Sequence, residues 1–295
     1  MKRNSSRISR RFALLALALL LAACSTPSVE EAFDLDFRTP QPGDLFLGAT
    51  SYVDVFILAG QSNGVGCGSA ELAPMNDAEA FVAYDSLNGG WKPQSMANPA
   101  LNYGSLAPAF AAEYHERTGR TAAFVQTSVG GTALYADPVA GRANWGPTGS
   151  LRGRAVAIAK DGLVTLAYNG ISYNVKGVIW VQGESDALLI DAGTETIDEY
   201  ETRLREIIEY FRKNFGSALT FGLVRTGTLV GGDDTCFAQV RAVQDKVCGD
   251  SPGVPMLYRD ADTFPSRGWM YDVIHYDQTG LNAIGRAAAA AFSVL

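Results

Sequence analysis

Histidine is scarce in this chain of 295 residues, which has only two, and cysteine occurs four times. No group of these residues has the spacing of zinc ligands, so the sequence predicts no metal site. Long apolar runs are also missing, since residues 12–23 are too few to span a bilayer as a helix. Acidic residues outnumber basic ones by 31 to 24, which argues against a nucleic-acid partner.

The first 23 residues combine five basic side chains with the apolar run, as a secretory signal peptide does. The run ends in Leu-Ala-Ala-Cys at 21–24, which resembles the cleavage motif of bacterial lipoproteins. This resemblance implies that Cys24 is lipidated and becomes the first mature residue. The alternative is an ordinary cleaved signal peptide with an incidental cysteine. Loss of residues 1–23 removes the five basic residues and no acidic ones, and changes the formal charge from −7 to −12.

Residues 24–50 are rich in Pro, Ser, Thr, Asp and Glu without periodicity, which predicts a tether between a lipid anchor and a domain over 51–295. The anchor would be the only contact with a membrane. We therefore expect a location in the cell envelope. In a Gram-negative cell this would be the outer membrane, facing the periplasm or the surface, because Ser25 follows the cysteine. The oligomeric state is left open.

Strand and helix patterns alternate from residue 52 onward. Strands are predicted at 53–58, 80–84, 122–127, 175–181, 220–224 and 256–258, and helices at 106–117, 151–168, 194–214, 237–247 and 277–292. This alternation implies right-handed crossovers and a parallel sheet with helices on both faces. We predict an α/β domain of three αβα layers, flavodoxin-like, with about five parallel strands. Ligands bind such folds at the carboxyl ends of the strands.

A serine follows the first predicted strand, in Gly-Gln-Ser-Asn-Gly at 60–64. A serine on a tight glycine-flanked turn can present its Oγ at the edge of the sheet as a nucleophile. On its own, this pattern is more typical of a turn or a helix cap.

A nucleophilic serine needs a histidine as base, and the two histidines differ in their surroundings. His115 lies in a charged helical stretch and is expected to face solvent. His275 follows Asp272 by three residues, so that this carboxylate can orient the imidazole. The alternative is that Asp272 is a turn residue and His275 a cap.

Two further loops fall at the same predicted edge. Gly130 and Gly131 follow a strand, and paired glycines allow backbone N–H groups to point at a ligand. Gln182, after another strand, can donate an amide hydrogen bond to an oxyanion. Glu184 and Asp186 suit bracing of this loop or recognition of a hydroxyl group, or belong to a polar turn.

Together, these motifs resemble the SGNH-type hydrolases. Their order along the chain is Gly-Gln-Ser-Asn at 60–63, Gly-Gly-Thr at 130–132, Gln-Gly-Glu-Ser-Asp at 182–186 and Asp-x-x-His at 272–275. The resemblance is strongest to the branch of sialate O-acetylesterases and acetylxylan esterases, carbohydrate esterase family 6, and covers nearly all of the domain. It implies a serine esterase that removes O-acetyl groups from carbohydrates and needs no metal or cofactor.

The resemblance also implies roles for single residues. Ser62 would be the nucleophile, His275 the general base and Asp272 its orienting carboxylate. The oxyanion donors would be the backbone N–H of Ser62, that of Gly130 or Gly131, and the side chain of Gln182. The residues expected near the substrate or behind the catalytic groups are Gln61, Asn63, Glu184 and Asp186. Gly64 replaces the methionine usual in this branch, which leaves the acyl preference open.

Two other functions remain open. One is an SGNH hydrolase of other acyl esters, such as a lipase-like enzyme or a peptidoglycan O-acetyl esterase. The other is a glycan-binding lipoprotein without turnover, although the complete set of Ser62, Asp272 and His275 argues against it. Four aromatic residues lie on predicted loops, where they would either stack on sugar rings or pack against the domain. They are Trp91, Trp145, Trp269 and Tyr135. Arg225 and Arg267 are expected to meet an acidic sugar or a surface carboxylate.

Three cysteines remain after Cys24. A helix between Cys236 and Cys248 would hold them about 18 Å apart, too far for a disulfide. The fold that the resemblance implies places Cys67 and Cys236 on loops at the active edge, which favours a bridge between these two.

Overall fold

The computed structural model describes residues 50–87, 89–94, 104–136 and 143–295. The predicted signal peptide, Cys24 and all of the tether except Thr50 lie outside these residues. Among the residues that are described, none of the helices has the length and apolar character needed to cross a membrane.

One sheet forms the centre of the domain. Its strands are β1 (Tyr52–Gly60), β2 (Phe81–Tyr84), β3 (Trp91–Pro93), β4 (Thr121–Gln126), β5 (Ser172–Val181), β6 (Thr220–Val224) and β7 (Met256–Tyr258). Their order is β3-β2-β4-β1-β5-β6-β7, and all neighbours are parallel except β2 and β3. The described part of the chain thus has seven strands, so the prediction of about five is too low. The edge strand β3 was not predicted, because its sequence Trp-Lys-Pro has no apolar run and contains a proline.

The helices connect these strands. They are α1 (Ser62–Val65), α2 (Ala107–Thr118), α3 (Leu151–Tyr168), α4 (Glu184–Asp191), α5 (Ile197–Phe215), α6 (Thr235–Asp250), α7 (Phe264–Arg267) and α8 (Gln278–Phe292). The five longest agree with the predicted helices to within a few residues at each end. Three short ones, α1, α4 and α7, were not predicted, because four to eight residues show too little periodicity.

Strand β1 shows why the domain has three layers. Val55 and Ile57 pack into a core shared with α3, α5 and α6, whereas Phe56 and Leu58 pack into a second core with α2 and α8. Successive side chains on a strand point to opposite faces, so a strand that is apolar on both faces requires helices on both sides. The predicted αβα architecture is confirmed.

The position of β1 also places the functional edge. It pairs with β4 on one side and with β5 on the other. Connections that leave in opposite directions open a crevice at the carboxyl ends of such strands. The loops after β1, β4 and β5, which carry the first three of the four motifs, meet at this crevice.

Of the two expectations for the cysteines, the separation of Cys236 from Cys248 is confirmed and the bridge from Cys67 to Cys236 is not. Cys236 and Cys248 lie in the first and last turns of α6, and both thiols are free. The helix separates them as predicted. Cys236 lies in the first turn of α6 rather than on the loop before it, and the expected bridge between Cys67 and Cys236 is not formed.

Two of the four aromatic residues placed on predicted loops are core residues. Trp91 and Trp145 are fully buried, and their indole N–H groups donate to Gly162 O and Thr132 Oγ1, both at 3.0 Å. They pack the domain and do not face solvent.

The other two aromatic residues are partly exposed, and each lies against an arginine. The Arg203 guanidinium is 4.5 Å from the ring centre of Tyr135, and that of Arg267 is 5.0 Å from Trp269. Arg225 pairs with surface carboxylates of Asp245 and Asp262, the simpler of the two roles considered for it.

Candidate active site

A glycine lets Ser62 follow β1 directly. Gly60 has a φ of 130°, and a Cβ there would lie 2.0 Å from the carbonyl oxygen of Val181. Only glycine fits so close to a neighbouring strand. Ser62 then begins the four-residue helix α1, at a position whose N–H has no partner within the helix. The turn presents Ser62 at the carboxyl edge of the sheet, almost fully buried.

Ser62, His275 and Asp272 form a continuous chain of hydrogen bonds. His275 Nε2 lies 3.0 Å from Ser62 Oγ, and its Nδ1 lies 2.7 Å from Asp272 Oδ2. Because the carboxylate accepts the Nδ1 proton, Nε2 is left to accept the proton of the serine hydroxyl. This is the geometry of a nucleophile, its base and an orienting carboxylate.

The Asp272 carboxylate is itself held by backbone groups. Its Oδ1 accepts from the N–H groups of Ile274 at 2.9 Å and His275 at 2.8 Å. Burial raises the pKa of Asp272, but the hydrogen bonds from the His275 ring and from these two N–H groups outweigh it, and the pKa is lowered. Asp272 therefore stays ionised at neutral pH.

Asn63 ties the serine turn to the histidine loop. Its Oδ1 accepts from the N–H of Tyr276 at 3.0 Å, and its Nδ2 donates to the carbonyl of Ile274 at 3.2 Å. These peptide groups flank His275 on both sides. The same Nδ2 donates to Glu184 Oε1 at 2.7 Å. Asn63 thus fixes the distance between the serine and the imidazole.

Glu184 lies behind Asn63 and is buried from solvent. Its Oε1 also accepts from the Tyr276 hydroxyl at 3.3 Å. Burial raises the pKa of Glu184, although its hydrogen bond from Asn63 opposes this. The carboxyl group supports Asn63 and Tyr276.

Gln61 has a structural role at the start of α4. Its Oε1 accepts from the N–H groups of Ser185 at 3.1 Å and Gly183 at 3.3 Å. The first N–H groups of a helix have no partner within it, so this side chain satisfies them. Gln61 is fully buried and holds the third motif against the first.

The loop after β4 faces the serine. A Cβ on Gly130 would lie 3.9 Å from Ser62 Cβ with nothing else near, so the backbone here borders the reacting hydroxyl. Gly131, with a φ of 68°, follows directly. The N–H of Val129 donates to Gly60 O at 3.0 Å and fixes the loop against the serine turn.

Gln182 and Asp186 are linked to each other. The Gln182 amide Nε2 donates to Asp186 Oδ2 and lies 3.3 Å from Gln61 Oε1. Asp186 is fully buried and accepts from backbone groups of the loop after β4. It supports both loops.

Gly64 is a packing position. A Cβ there would meet Ser128 Oγ at 2.7 Å and Val181 Cβ at 3.3 Å. A methionine therefore has no room unless Ser128 moves.

Two residues that support the loops of the site were not identified from the sequence. Gln126 accepts from Ser128 N and donates to Gly64 O, both at 2.9 Å. Gln244 on α6 donates to Gln182 O at 2.9 Å. The sequence marks Gln126 only as a polar residue at the end of the apolar strand β4. No sequence pattern distinguishes Gln244 from other polar residues of its helix.

A cavity of about 490 Å³ lies between the loop after β4 and helix α5, lined in part by Tyr135, Asn144 and Arg203. None of Ser62, Asp272 and His275 lines it. Within the described residues, no group of acidic, histidine or cysteine side chains is arranged to hold a metal ion.

Solved structures share this fold. A protein of Arabidopsis thaliana is 21% identical over 81% of this chain and 97% of its own, with a TM-score of 0.59. NanS is 14% identical over 82% of this chain and 97% of its own, with a TM-score of 0.58. A carbohydrate acetylesterase of Xanthomonas citri is 25% identical over 80% of this chain but 55% of its own, with a TM-score of 0.53.

The sequence matches no curated protein. A family model described as carbohydrate esterase, sialic acid-specific acetylesterase, matches residues 52–293. This match covers the whole sheet and the residues at its carboxyl edge, from Ser62 to His275. The chain therefore belongs to this family of carbohydrate esterases.

Proposed function

We propose that the protein is a serine esterase that removes O-acetyl groups from carbohydrates such as acetylated xylan, other glycans or sialic acid. The observation that carries the proposal is the hydrogen-bonded chain of Ser62, His275 and Asp272 in a carbohydrate esterase. The name of the Xanthomonas citri structure, a carbohydrate acetylesterase, supports acetyl as the acyl group. The substrate partner is an acetylated carbohydrate.

In the first half of the reaction, Ser62 Oγ attacks the acetyl carbonyl carbon while His275 Nε2 takes the hydroxyl proton. The carbonyl oxygen becomes an oxyanion, which the N–H groups of Ser62 and of Gly130 or Gly131 stabilise together with the Gln182 amide. His275 then gives its proton to the sugar oxygen as the ester bond breaks. The deacetylated sugar leaves, and the acetyl group remains on Ser62.

In the second half, water takes the place of the sugar. His275 accepts a proton from the water as its oxygen attacks the acetyl-enzyme, and returns that proton to Ser62 Oγ when acetate leaves. Asp272 stabilises the imidazolium in both halves and stays ionised itself. The residues account for all proton transfers without a cofactor.

We further propose that the mature chain is held in the cell envelope by lipids on Cys24, with residues 24–50 as the tether. The cleavage motif at 21–24 supports this proposal. Expression of Cys24→Ala tests it. We expect the variant to appear in the soluble envelope fraction and the unaltered protein in the membrane fraction, and equal fractionation of the two would contradict an anchor at this residue.

The first experiment uses the chain from residue 25 onward. We expect it to hydrolyse 4-nitrophenyl acetate faster than the butyrate and to release acetate from acetylated xylo-oligosaccharides. Ser62→Ala, folded by circular dichroism, should lower kcat by about 10⁴-fold or more. Ser217→Ala, in an exposed turn after α5, is the matched control and should keep full activity.

Each other outcome favours a different function. Absence of turnover above Ser62→Ala on every acetyl ester would contradict the proposal and favour a glycan-binding lipoprotein. Faster turnover of butyrate and longer acyl esters would instead favour an SGNH hydrolase of other substrates.

A further inference from the structure

Two buried carboxyl groups meet behind the proposed oxyanion site. Asp186 on α4 and Glu195, just before α5, are hydrogen-bonded to each other through their side chains. Asp186 is 0% and Glu195 3% exposed. Two ionised carboxylates in contact and away from water repel each other strongly, so such a pair holds a proton.

The contacts of Asp186 identify it as the ionised member. Its oxygens accept from the N–H groups of Leu134 at 3.1 Å and Tyr135 at 3.2 Å. The Gln182 amide donates to Oδ2 as well. Burial raises the pKa of Asp186, and these hydrogen bonds oppose that rise, so Asp186 ionises more readily than a partner with fewer donors.

Glu195 has far fewer donors. Its Oε1 is 3.4 Å from Arg203 Nη1, at the limit of a hydrogen bond. Its Oε2 has no N–H or O–H donor among the described residues, so it is the oxygen that can carry a proton toward Asp186. Glu195 is therefore the neutral acid of the pair.

The surrounding charges do not change this assignment. Arg203 also lies 3.6 Å from Glu199 and against the Tyr135 ring, so it does not neutralise Glu195 alone. Glu199 and Asp186 both add negative potential at Glu195, and the buried Tyr200 hydroxyl also faces the pair. Burial first, and then Asp186, raise the pKa of Glu195 to about 10.

We propose that Asp186 and Glu195 share a single proton and that this pair positions the Gln182 amide and holds the backbone of Leu134 and Tyr135. The positioning part rests on the proposed function, in which Gln182 donates to the oxyanion. Nε2 of Gln182 has two hydrogens, and Asp186 holds one. The other makes only the long 3.3 Å contact with Gln61 Oε1, so it is the hydrogen that an oxyanion would accept.

The shared proton is tested by unfolding, without any use of activity. Glu195 binds a proton in the folded state up to about pH 10 and loses it near its ordinary value of 4.5 when unfolded. Between these limits the unfolded state binds fewer protons, so the stability of the unaltered protein falls as pH rises. Glu195→Gln keeps a neutral hydrogen-bond donor at this position but has no titratable proton.

We expect the unfolding equilibrium constant of the unaltered chain, measured with denaturant from pH 5 to 9, to rise about tenfold per pH unit relative to that of Glu195→Gln. Titrations common to both proteins cancel in this ratio. A ratio that does not change with pH would overturn the shared proton.

The positioning role is tested with 4-nitrophenyl acetate. We expect folded Asp186→Asn to lower kcat by about 10- to 100-fold with little change in KM, because an oxyanion donor acts in the transition state. Glu195→Gln leaves the charge of the pair unchanged, and its amide can donate to the Asp186 carboxylate. We therefore expect this variant to keep kcat within about threefold. Unchanged kcat in folded Asp186→Asn would overturn the positioning role. A failure of the proposed function would instead abolish turnover in the unaltered chain and leave the unfolding result as expected.

Discussion

Buried polar residues at this site make several hydrogen bonds each, and Asn63 is the clearest case. Its amide joins the serine turn to both sides of His275 and to Glu184. Each group left unpaired in such a place costs about 1–3 kcal/mol. The hydrogen bonds of Asn63 therefore decide whether the serine and the imidazole meet.

At the same scale, Asp272 decides which ring nitrogen of His275 carries the proton. In Asp272→Asn, the amide can either accept from or donate to Nδ1, so it no longer holds the proton of His275 on that nitrogen. It also places no negative charge beside the imidazolium. We expect kcat for 4-nitrophenyl acetate to fall by about 10³- to 10⁴-fold with the fold retained. Steady-state kinetics and near-ultraviolet circular dichroism measure the two effects.

Asp277→Asn is the matched control, because Asp277 caps α8 through its side chain and lies outside the hydrogen-bonded chain of the triad. It should change stability only. An Asp272→Asn variant with more than a tenth of the original kcat would show that another group orients His275.

At the scale of elements, the strand-to-helix turn after β1 has the tightest backbone packing at the site. Gly60 combines a positive φ with an approach that leaves no room for a Cβ beside Val181. The turn, rather than any helix propensity, creates the four-residue helix that begins with Ser62. The nucleophile is thus placed by contact between two neighbouring parallel strands.

This geometry predicts a large effect of Gly60→Ala. The added methyl would overlap the Val181 carbonyl at 2.0 Å, and alanine also avoids a φ of 130°, so β1 and β5 must separate. We expect a loss of more than about 3 kcal/mol in the free energy of unfolding, measured by denaturant titration, together with loss of esterase activity.

Gly170→Ala separates the two causes, since Gly170 has a φ of 71° but nothing within 4 Å of an added Cβ. It should lose only about 1 kcal/mol. Similar losses in the two variants would mean that backbone strain, and not the contact with Val181, governs Gly60.

At the scale of the whole molecule, charge is the dominant property. The chain from residue 24 onward has a formal charge of −12. A net negative potential repels anionic ligands over roughly a Debye length, about 30 Å at 0.01 M salt and about 8 Å at 0.15 M. We therefore expect neutral acetylated glycans to be reached more easily than acidic ones.

The corresponding prediction concerns salt. Between 0.01 and 0.15 M NaCl, kcat/KM for an acetylated oligosaccharide that carries a uronic acid should rise about two- to fivefold, because screening weakens the repulsion. The matched neutral oligosaccharide should change little. A kcat/KM that falls with salt for the acidic substrate would reveal a local basic site that overrides the net charge.

The sequence by itself determined the layer architecture, most helix and strand positions and the residues to examine at the carboxyl edge. This was possible because apolar periodicity is a local property and because each motif directly follows a strand. With only two histidines, the choice of His275 needed little more than its distance from Asp272 along the chain.

Only the tertiary structure decided how these parts meet. Asn63 reaches Ile274 across 211 positions, and Asp186 reaches Leu134 across 52. Trp91 and Trp145, placed on loops by their local sequence, are buried because neighbouring elements cover them. The order of strands in a sheet brings distant residues together, and no local pattern records that order. Buried polar contacts such as the pair of Asp186 and Glu195 therefore emerge only when the chain is folded.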